Sequence, residues 1–408
     1  MVFGVFEGFG DFILAFSRHS ISVVFLLRDI HSSSAMAPSY LTEAQMLQFG
    51  LKFARFKSPS YLNAIVQAEL GEEREGESEP DEEIEDDDDA EEEEESDDDV
   101  TPDEVFDEFL KDDKRFRLHL RRFKACYGSA PQVICAIWWD LQTADISEAR
   151  ISNVTVRSLE RLLMTMYFLK TNLSEHCMAG IFQLSEPTVR KWCWAYAAKI
   201  QALKAIKIVW EDLEALGGDE DEEEDGEHEE EDGEEELRAI RAKLPLTVDG
   251  VHCRVLEQGH PTNAYDTAYF SHKSKSAGLA YEIALLVHHS RCVWMNGPFP
   301  AGKNDLSMFR AGLAAKIPEG MKVIADKGYN ARDVVDIIST PNSHDSKKVS
   351  EYKSRARARQ ETFNARLKNF GVLEQRFRHD LEKHKIAFEA VAVICQYQLE
   401  NCSPLFDV

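Results

Sequence analysis

The sequence predicts a mixed α/β fold preceded by an α-helical region, and the spacing of its apolar residues carries this prediction. Between residues 155 and 204 apolar side chains recur at helical spacing. From residue 244 onward the period becomes that of strands, with one helix before the last strand and further helices after it. The predicted strands are 244–256, 265–271, 279–288, 291–297 and 321–326, and the predicted helices are 305–316, 331–338, 350–369 and 380–399.

Two acidic tracts account for the net charge of −27. Residues 72–99 hold 21 acidic residues and one basic residue, and residues 219–236 hold 15 acidic residues and no Lys or Arg. We expect both tracts to be disordered, because they cannot bury enough apolar surface to offset chain entropy. They are interpreted as solvated linkers or, alternatively, as a phosphate mimic that screens a basic channel. The rest of the chain carries a net charge of about +8, which suits a nucleic-acid binder.

These features divide the chain into six segments. Its 408 residues are enough for two or three domains with a substantial core. The predicted segments are an N-terminal segment of undetermined structure (1–37), a helical segment (38–70), an acidic disordered tract (71–100), an α-helical domain (101–216), an acidic linker (217–238) and a mixed α/β domain (239–408).

The cysteines and the apolar runs exclude several classes of protein. Eight cysteines are scattered without a Cys-x-x-Cys pair, so neither a zinc module nor a disulfide framework is predicted. No run of 18 apolar residues occurs, which argues against a transmembrane helix. The apolar N-terminal stretch contains Glu7 and Asp11 and lacks a basic start, so it is a poor signal peptide.

Residues 155–204 have the pattern of a helix-turn-helix. A first helix is followed by a short helix capped by Ser174, a tight turn, and a third helix that begins near residue 185. Four residues of the third helix avoid its buried stripe and are candidates for DNA contact: Thr188, Arg190, Lys191 and Trp194. Such three-helix units are also common in proteins that do not bind DNA, and Trp194 could equally belong to the core.

Four carboxylates are the candidate chemical groups, and each also has a structural alternative. Asp249-Gly250 between apolar runs is a strong hairpin signal. Asp326 could cap a strand-to-helix turn, Glu361 could form a surface salt bridge, and Asp305 could be a helix N-cap. If two strand-end acids and one helix acid converge instead, their mutual repulsion calls for a divalent cation.

The order of four motifs makes a functional interpretation specific. The motifs are Val248-Asp-Gly-Val-His252, Gly302-Lys-Asn-Asp-Leu-Ser-Met-Phe309, Ala325-Asp-Lys-Gly-Tyr329 and Arg357-x3-Glu361-x6-Lys368. Together they resemble the DDE transposase superfamily over residues 244–405, and most closely the PIF/Harbinger transposases and their bacterial insertion-sequence relatives. This resemblance implies a ribonuclease-H-like sheet with the first acid in its first strand, the second after its fourth strand and a glutamate on a helix.

The resemblance also implies a two-metal mechanism. Asp249, Asp326 and Glu361 would hold two Mg²⁺ or Mn²⁺ ions, with Asp305 as an uncertain fourth acid that could trade places with Asp326. Arg357 and Lys368 would bind phosphates. Independently of the resemblance, both bases fall within about 40° of Glu361 around a helix, since they are four residues before it and seven after it.

The function expected from this resemblance is a DDE-type transposase or a transposase-derived nuclease that acts on double-stranded DNA in the nucleus. It would act as a homo-oligomer, with a separate DNA-binding protein as a further candidate partner. The alternative is a domesticated DNA-binding or chromatin protein that keeps the fold and does not cut. Basic residues of the same half are expected to contact phosphates: Lys347, Lys348, Lys353, Arg355, Arg359, Arg366, Arg376, Arg378, Lys383 and Lys385.

Overall fold

A computed structural model describes residues 113–143, 159–210, 232–256 and 266–408, together with residues 3–4, 14–15, 46 and 213. Residues 1–39 form a unit of their own, in which strands β1 (Phe3–Gly4) and β2 (Leu14–Ala15) pair antiparallel. Most of the predicted helical segment 38–70 and all of the tract 71–100 lie outside the described residues. The remaining elements belong to a second unit, Tyr40–Val408.

The described residues of the helical region form six helices. α4 begins after its cap Ser174, whose side chain accepts the backbone N–H of Cys177, and it ends at Gln183 in the left-handed region (φ 50°). α5 carries Pro187 in its first turn, where a missing N–H costs nothing. The helices are α1 (Asp113–Tyr127), α2 (Pro131–Thr143), α3 (Leu159–Thr171), α4 (Glu175–Phe182), α5 (Glu186–Ala202) and α6 (Lys204–Lys207).

The second half of the chain builds a mixed sheet with helices on both faces. Its strands are β3 (Leu246–Arg254), β4 (Phe270–Ser271), β5 (Ser276–Leu286), β6 (Cys292–Pro300), β7 (Val323–Ile324) and β8 (Ile338–Ser339). Its helices are α7 (Asp232–Lys243), α8 (Asp305–Arg310), α9 (Lys347–Lys368), α10 (Gly371–Glu374) and α11 (Leu381–Asn401). The predicted mixed sheet with flanking helices is therefore confirmed.

The strand order is β4-β5-β3-β7-β8, with β6 also paired to β5. β3 and β6 both run antiparallel to β5, whereas β3, β7 and β8 run parallel to one another. Residues 287–291 join β5 to β6, a short connection of the kind that antiparallel neighbours allow, whereas residues 255–275, which include β4, separate β3 from β5. The segment between the parallel neighbours β3 and β7 includes α8, and the segment between β7 and β8 contains 3-10 turns.

Alternate residues of β3 enter two different cores. Val251 lies in one apolar cluster with Phe363 of α9, and that cluster extends into the helical region. Val248 lies in a second cluster with Phe309 of α8 and Tyr329. Both faces of the strand are therefore covered by other elements.

The helical region packs against the last helix of the second half. Lys204 and Gln201 donate to the carboxylate of Glu389 on α11, at 2.7 and 2.6 Å. Tyr397 of α11 donates to Asp140 of α2 at 2.5 Å. α5 is therefore partly a packing helix and not a separate arm. No helix in the described part of the chain has the length and apolar character needed to cross a membrane.

Several predicted boundaries are corrected by the structure. Residues 331–338 do not form the predicted helix; a 3-10 turn (Arg332–Val334) leads instead into β8, which pairs with β7. The predicted strand 265–271 is mostly a 3-10 turn, with only β4 as strand. The predicted linker 217–238 overlaps α7, whose Ile240 is buried. Two-residue strands are too short to show an alternation in sequence, and apolar residues beyond the acidic run anchor α7.

The hairpin alternative for Asp249-Gly250 is also wrong. Both residues lie inside β3, where Asp249 pairs with Ile283 and Gly250 with Glu282. The flanking residues Val248 and Val251 are each buried in a core. Burial on both faces therefore outweighs the local turn preference of the Asp-Gly pair.

Candidate active site

Asp249 and Asp326 meet at a notch beside β3. β3 pairs with β7 only at Leu246 and Thr247, because β7 ends at Ile324. Among the described strands none continues along that edge of β3, which runs on to Arg254. Asp249 and Asp326 each lie two residues beyond the last parallel pair. The end of the short parallel strand therefore brings the two aspartates together.

Asp305 enters the same notch from α8. Its Oδ1 lies 2.3 Å from the position that a Cβ on Gly250 would occupy, and its Oδ2 lies 3.7 Å from a Cβ position on Gly328. A side chain at Gly250 would therefore displace the Asp305 carboxylate. Gly250, which follows Asp249, thus leaves room for this third aspartate, whereas the distance at Gly328 is an ordinary van der Waals contact. The N-cap alternative for Asp305 is wrong, because Asn304 caps α8 by accepting the N–H of Ser307 at 2.8 Å.

The surroundings of Asp249 oppose its negative charge. Burial, together with the charges of Asp305 and Asp326, raises the pKa of Asp249 to about 6, against the lowering effects of the Gly250 N–H and of Lys273. Asp249 Oδ1 accepts the N–H of Gly250 at 2.8 Å. Its Oδ2 accepts Nδ2 of Asn364 at 2.8 Å. A cation beside these carboxylates would relieve the repulsion that they exert on one another.

Asp326 is a cap as well as a member of this group. Its side chain accepts the N–H of Gly328 at 2.8 Å and so begins the 3-10 turn Lys327–Tyr329. The capping alternative for Asp326 is thus observed, and it holds the carboxylate at the notch. Asp326 therefore caps the 3-10 turn and at the same time belongs to the acidic group.

Glu361 is exposed on α9, and the described residues provide it with no hydrogen bond or ion pair. It lies three residues before Asn364, the residue of α9 that contacts Asp249. Three residues correspond to about 60° around a helix, so Glu361 borders the contacting line of α9. The structure groups Asp249, Asp305 and Asp326, and the metal-binding role of Glu361 stays a prediction.

A layer of buried polar groups lies behind the three aspartates, and sequence reasoning missed it. Glu282 is fully buried opposite Gly250; its Oε1 accepts Nε1 of Trp294 at 2.8 Å, and its Oε2 has no partner among the described residues. Burial and the charge of Asp305 raise the pKa of Glu282 to about 7, against the lowering effects of the Trp294 hydrogen bond and Lys303. The sequence signal was a lone acid inside the apolar run 279–286.

Tyr329 and His252 also border Asp305. The hydroxyl of Tyr329 is buried without a partner in the described structure, and burial, followed by the charge of Asp305, raises its pKa. Nε2 of His252 lies 3.9 Å from Asp305 Oδ1, and that oxygen itself is buried without a hydrogen bond among the described residues. Buried polar atoms normally find partners, so these groups mark a site that is incomplete in the protein alone.

The two residues predicted to bind phosphate differ in their surroundings. Nζ of Lys368 donates to the carbonyl of His252 and, at 3.0 Å, to that of Leu373, and it lies 3.5 Å from Sγ of Cys253. An ammonium has three N–H groups, and all three are occupied here. Arg357 is half-buried, and the described residues give it no hydrogen bond or ion pair. Arg357 is therefore the more available of the two, and phosphate binding by both stays a prediction.

Several of the other basic residues are tied up within the chain. Arg355, Arg359 and Arg366 donate to backbone carbonyls of residues 403–407. Lys353 is buried and donates to Asp345 at 2.9 Å. The three arginines therefore hold residues 403–407 against α9, and Lys353 holds the loop that contains Asp345. These contacts account for the charge of all four side chains without a bound phosphate. Arg376 and Lys385 remain exposed.

In the predicted helix-turn-helix, Arg190 and Trp194 already contact other side chains of the protein. Nε of Arg190 donates to both carboxylate oxygens of Glu175 at 2.8 and 2.7 Å. Trp194 is half-buried, with ring centroids 5.4 Å from Phe168 and 5.0 Å from His379. The core placement of Trp194, one of the two alternatives, is what the structure shows.

The other two candidates of α5 lie at its exposed start. Oγ1 of Thr188 is 2.8 Å from Oγ of Ser185. Lys191 is exposed, and its Nζ lies 5.0 Å from the centroid of the Trp192 ring. The first turns of α5 thus present Lys191 and the Arg190–Glu175 pair to solvent, and DNA contact by these residues stays a prediction.

The donors at the notch suit a hard divalent cation. Among the described residues, no group of three or more His, Cys, Asp or Glu side chains is arranged to hold a metal ion. The donor type nevertheless fits, because Asp249, Asp305 and Asp326 offer only oxygens, which Mg²⁺ and Mn²⁺ prefer. The unpartnered buried Oδ1 of Asp305 is the specific observation in favour of a cation.

Comparison with known proteins places these residues in a family context. Residues 248–396 match a family described as DDE superfamily endonuclease. The matched segment begins one residue before Asp249, ends in α11 and contains Asp305, Asp326 and Glu361. No curated protein and no solved structure matches the chain. The match supports a DDE superfamily endonuclease domain in the second half of this protein.

Proposed function

We propose that this protein is a DDE-type transposase of the PIF/Harbinger group, or a nuclease derived from one, that cuts DNA phosphodiester bonds and joins 3′ ends. The observation that carries the proposal is the meeting of Asp249, Asp305 and Asp326 at the β3 notch, inside the segment that matches the endonuclease family. The assignment to a DDE endonuclease implies DNA as the substrate.

The topology supports a ribonuclease-H-like sheet. With the two-residue strand β4 set aside, β3 is the first strand of the sheet and β7 is the fourth. Asp249 lies in the first strand and Asp326 follows the fourth, while Glu361 is on the helix α9. These are the positions that the resemblance to the DDE superfamily implied for the three acids.

The chemistry divides between the bound ions and the chain. When bound, two Mg²⁺ or Mn²⁺ ions would activate the attacking oxygen and stabilise the leaving 3′ oxygen. Asp249 is proposed to contact both ions, with Asp326 and Glu361 each holding one and Asp305 as the fourth acid. Arg357 and Lys368 are proposed to orient phosphates near the scissile bond, and Lys368 would have to give up one of its contacts to His252, Cys253 or Leu373 to do so.

Contacts farther from the notch would fix DNA on the protein. The exposed Lys273, whose charge lowers the pKa of Asp249, is proposed as one phosphate contact beside the notch. The start of α5, with Thr188, Arg190 and Lys191, is proposed as a second contact. Homo-oligomerisation, a separate DNA-binding partner and action in the nucleus complete the proposal.

Two substitutions test the catalytic assignment. Asp249→Asn and Glu361→Gln should each abolish Mn²⁺-dependent cleavage of DNA that carries the element's own ends, because each removes a charged oxygen ligand. DNA affinity, measured by gel shift without metal, should stay at the wild-type level. Asp336→Asn and Glu351→Gln are the matched controls, since both residues are exposed and lie outside the notch. Cleavage at the wild-type rate by both test variants would refute the assignment.

A catalytically silent DNA-binding protein is the second candidate. The exposure of Glu361, and the lack of any contact with the three aspartates among the described residues, is the observation that favours it. In that case the wild-type protein would bind DNA but would not cut it at any Mn²⁺ concentration. Cleavage that depends on Asp249 would exclude this candidate.

A further inference from the structure

Asn364 links the candidate active site to helix α9. Its Nδ2 donates to Oδ2 of Asp249 at 2.8 Å, while Oδ1 of Asp249 accepts the N–H of Gly250 at 2.8 Å. One oxygen of the carboxylate is thus held by its own strand and the other by the helix. A carboxylate oxygen has two lone pairs, so each oxygen keeps one for a further ligand.

A second amide fixes the orientation of the first. Gln360 lies one turn earlier on α9, is 2% exposed, and has its Nε2 3.4 Å from Oδ1 of Asn364. Thr247 donates to Oε1 of Gln360 at 2.7 Å, and the same Nε2 lies 3.5 Å from the carbonyl of Ile283. Hydrogen bonds therefore leave β3 at Thr247, cross to α9, and return to β3 at Asp249.

This relay determines which end of the Asn364 amide faces the carboxylate. Because Oδ1 of Asn364 accepts from Gln360, the Nδ2 end is the one left to donate to Asp249. If Asn364 were turned over, its oxygen would face a carboxylate oxygen and repel it. The buried Gln360, tied to the sheet, prevents that rotation.

The chemical character of Asn364 suits a position beside a metal-binding carboxylate. Asp305 and Asp326 repel Asp249, so the carboxylate needs a donor that holds it in place. A lysine or arginine at this position would form an ion pair and compete with a bound cation, whereas a neutral amide orients the carboxylate and leaves its charge free. The nearest ammonium along this side of α9, that of Lys368, bonds to backbone carbonyls instead.

The geometry points to Asn364 as a positioning residue that holds the Asp249 carboxylate in one orientation for divalent-metal binding, with Gln360 holding Asn364. This inference rests on the proposed function, because it requires that Asp249 binds the ion. It adds that metal binding requires, besides the acidic ligands, a neutral hydrogen-bond donor on α9.

The test measures Mn²⁺ binding by calorimetry without DNA, together with the Mn²⁺ concentration that gives half-maximal cleavage. Asn364→Ala should raise both the dissociation constant and the half-maximal concentration about 10- to 100-fold, the usual effect of losing a partner of a metal ligand. Asn364→Gln, which keeps the amide, should recover part of the loss. DNA affinity without metal should not change.

Asn369→Ala is the matched control, since Asn369 is an exposed asparagine five residues farther along, at the end of α9. It should bind Mn²⁺ like the wild type. If Asn364→Ala does not fold, Gln360→Leu tests the same relay, because it frees the Asn364 amide to turn. The Mn²⁺ dissociation constant of this variant should rise a few-fold.

The outcomes separate this inference from the proposed function. Wild-type Mn²⁺ affinity in Asn364→Ala, alongside Mn²⁺ binding that is lost in Asp249→Asn, would overturn the positioning role and leave the proposed function standing. Absence of Asp249-dependent Mn²⁺ binding in the wild type would overturn both. A selective loss in Asn364→Ala with an unchanged melting temperature supports both.

Discussion

The start of helix α5 and the β3 notch both present polar and charged residues, but their hydrogen bonding differs. In α5, Arg190 is paired with Glu175, and Thr188 with Ser185. At the notch, buried atoms of Asp305, Glu282 and Tyr329 have no partner among the described residues. The polar side chains of the first region are therefore paired within the protein, whereas the second region contains buried polar atoms without a hydrogen-bond partner among the described residues.

This difference separates structural polar groups from functional ones. A paired surface residue stabilises a fold modestly and can be replaced with little effect on the rest of the molecule. A buried polar atom without a partner costs stability, so its presence calls for a ligand, a proton or a water molecule that supplies the missing bond. The notch is therefore where we expect chemistry, and the start of α5 is where we expect at most recognition.

The largest expected effect at the notch, after loss of the assigned metal ligands, comes from Asp305→Asn. This change keeps the shape of the side chain between Gly250 and Gly328 but removes its charge, so Mn²⁺-dependent cleavage should fall about 10- to 100-fold. Because the Asp305 charge raises the pKa of Asp249, the same change should lower that pKa. Cleavage rates measured from pH 5 to 8 would show both effects.

The exposed Asp336→Asn serves as the control for this measurement. A rate and a pH profile for Asp305→Asn that match the wild type would show that the third aspartate is not part of the site. The acidic group at the notch would then consist of Asp249 and Asp326 alone, and the close approach of Asp305 to Gly250 would have no functional explanation.

A smaller effect, on stability, is expected from Glu282→Gln. Glutamine keeps the acceptor for Trp294 and removes a buried charge, so the variant should be more stable than the wild type at neutral pH in metal-free buffer. A pKa raised from 4.5 to about 7 corresponds to up to about 3 kcal/mol of unfolding free energy. Urea unfolding at several pH values would measure it.

The sign follows from which form the folded state prefers. Folding raises the pKa of Glu282, so the wild type loses stability as pH rises from about 4.5 to about 7, while the unfolded chain has already released its proton. The advantage of Glu282→Gln should therefore be absent near pH 4, grow across that window and stay constant above it. An advantage of equal size at pH 4 would assign it to packing and not to charge.

The sequence predicted the long elements of the fold well and the short ones poorly. Strands β3, β5 and β6 and helices α9 and α11 lie close to their predicted positions, because each buries enough apolar residues to show its period. β8 was missed because two residues cannot display an alternation. Its pairing with β7 depends on tertiary contacts that no local window contains.

The site could be predicted only in part. The motif order identified Asp249, Asp305 and Asp326, which the structure brings to one notch. Asn364 could not be found, because a polar residue on an exposed, Arg-rich helix has the same sequence signal whether it faces solvent or a carboxylate. Glu282 could have been found from its apolar neighbours, although the register that sets it opposite Gly250 is a property of the sheet.

The smallest expected effects are those at α5, and they test whether this helix contacts DNA. Glu175→Gln should release Arg190, since the ion pair with Glu175 now occupies its guanidinium, and DNA affinity at low salt should rise a few-fold. Arg190→Ala should lower affinity by a similar factor and reduce the salt dependence, as loss of one phosphate contact does.

Lys191→Ala, one residue along and free of a carboxylate partner among the described residues, calibrates the effect of a single charge at this surface. If affinity in all three variants stays at the wild-type value across a salt series, α5 is a packing helix held by α11, and DNA binding must be assigned to the basic residues around the notch.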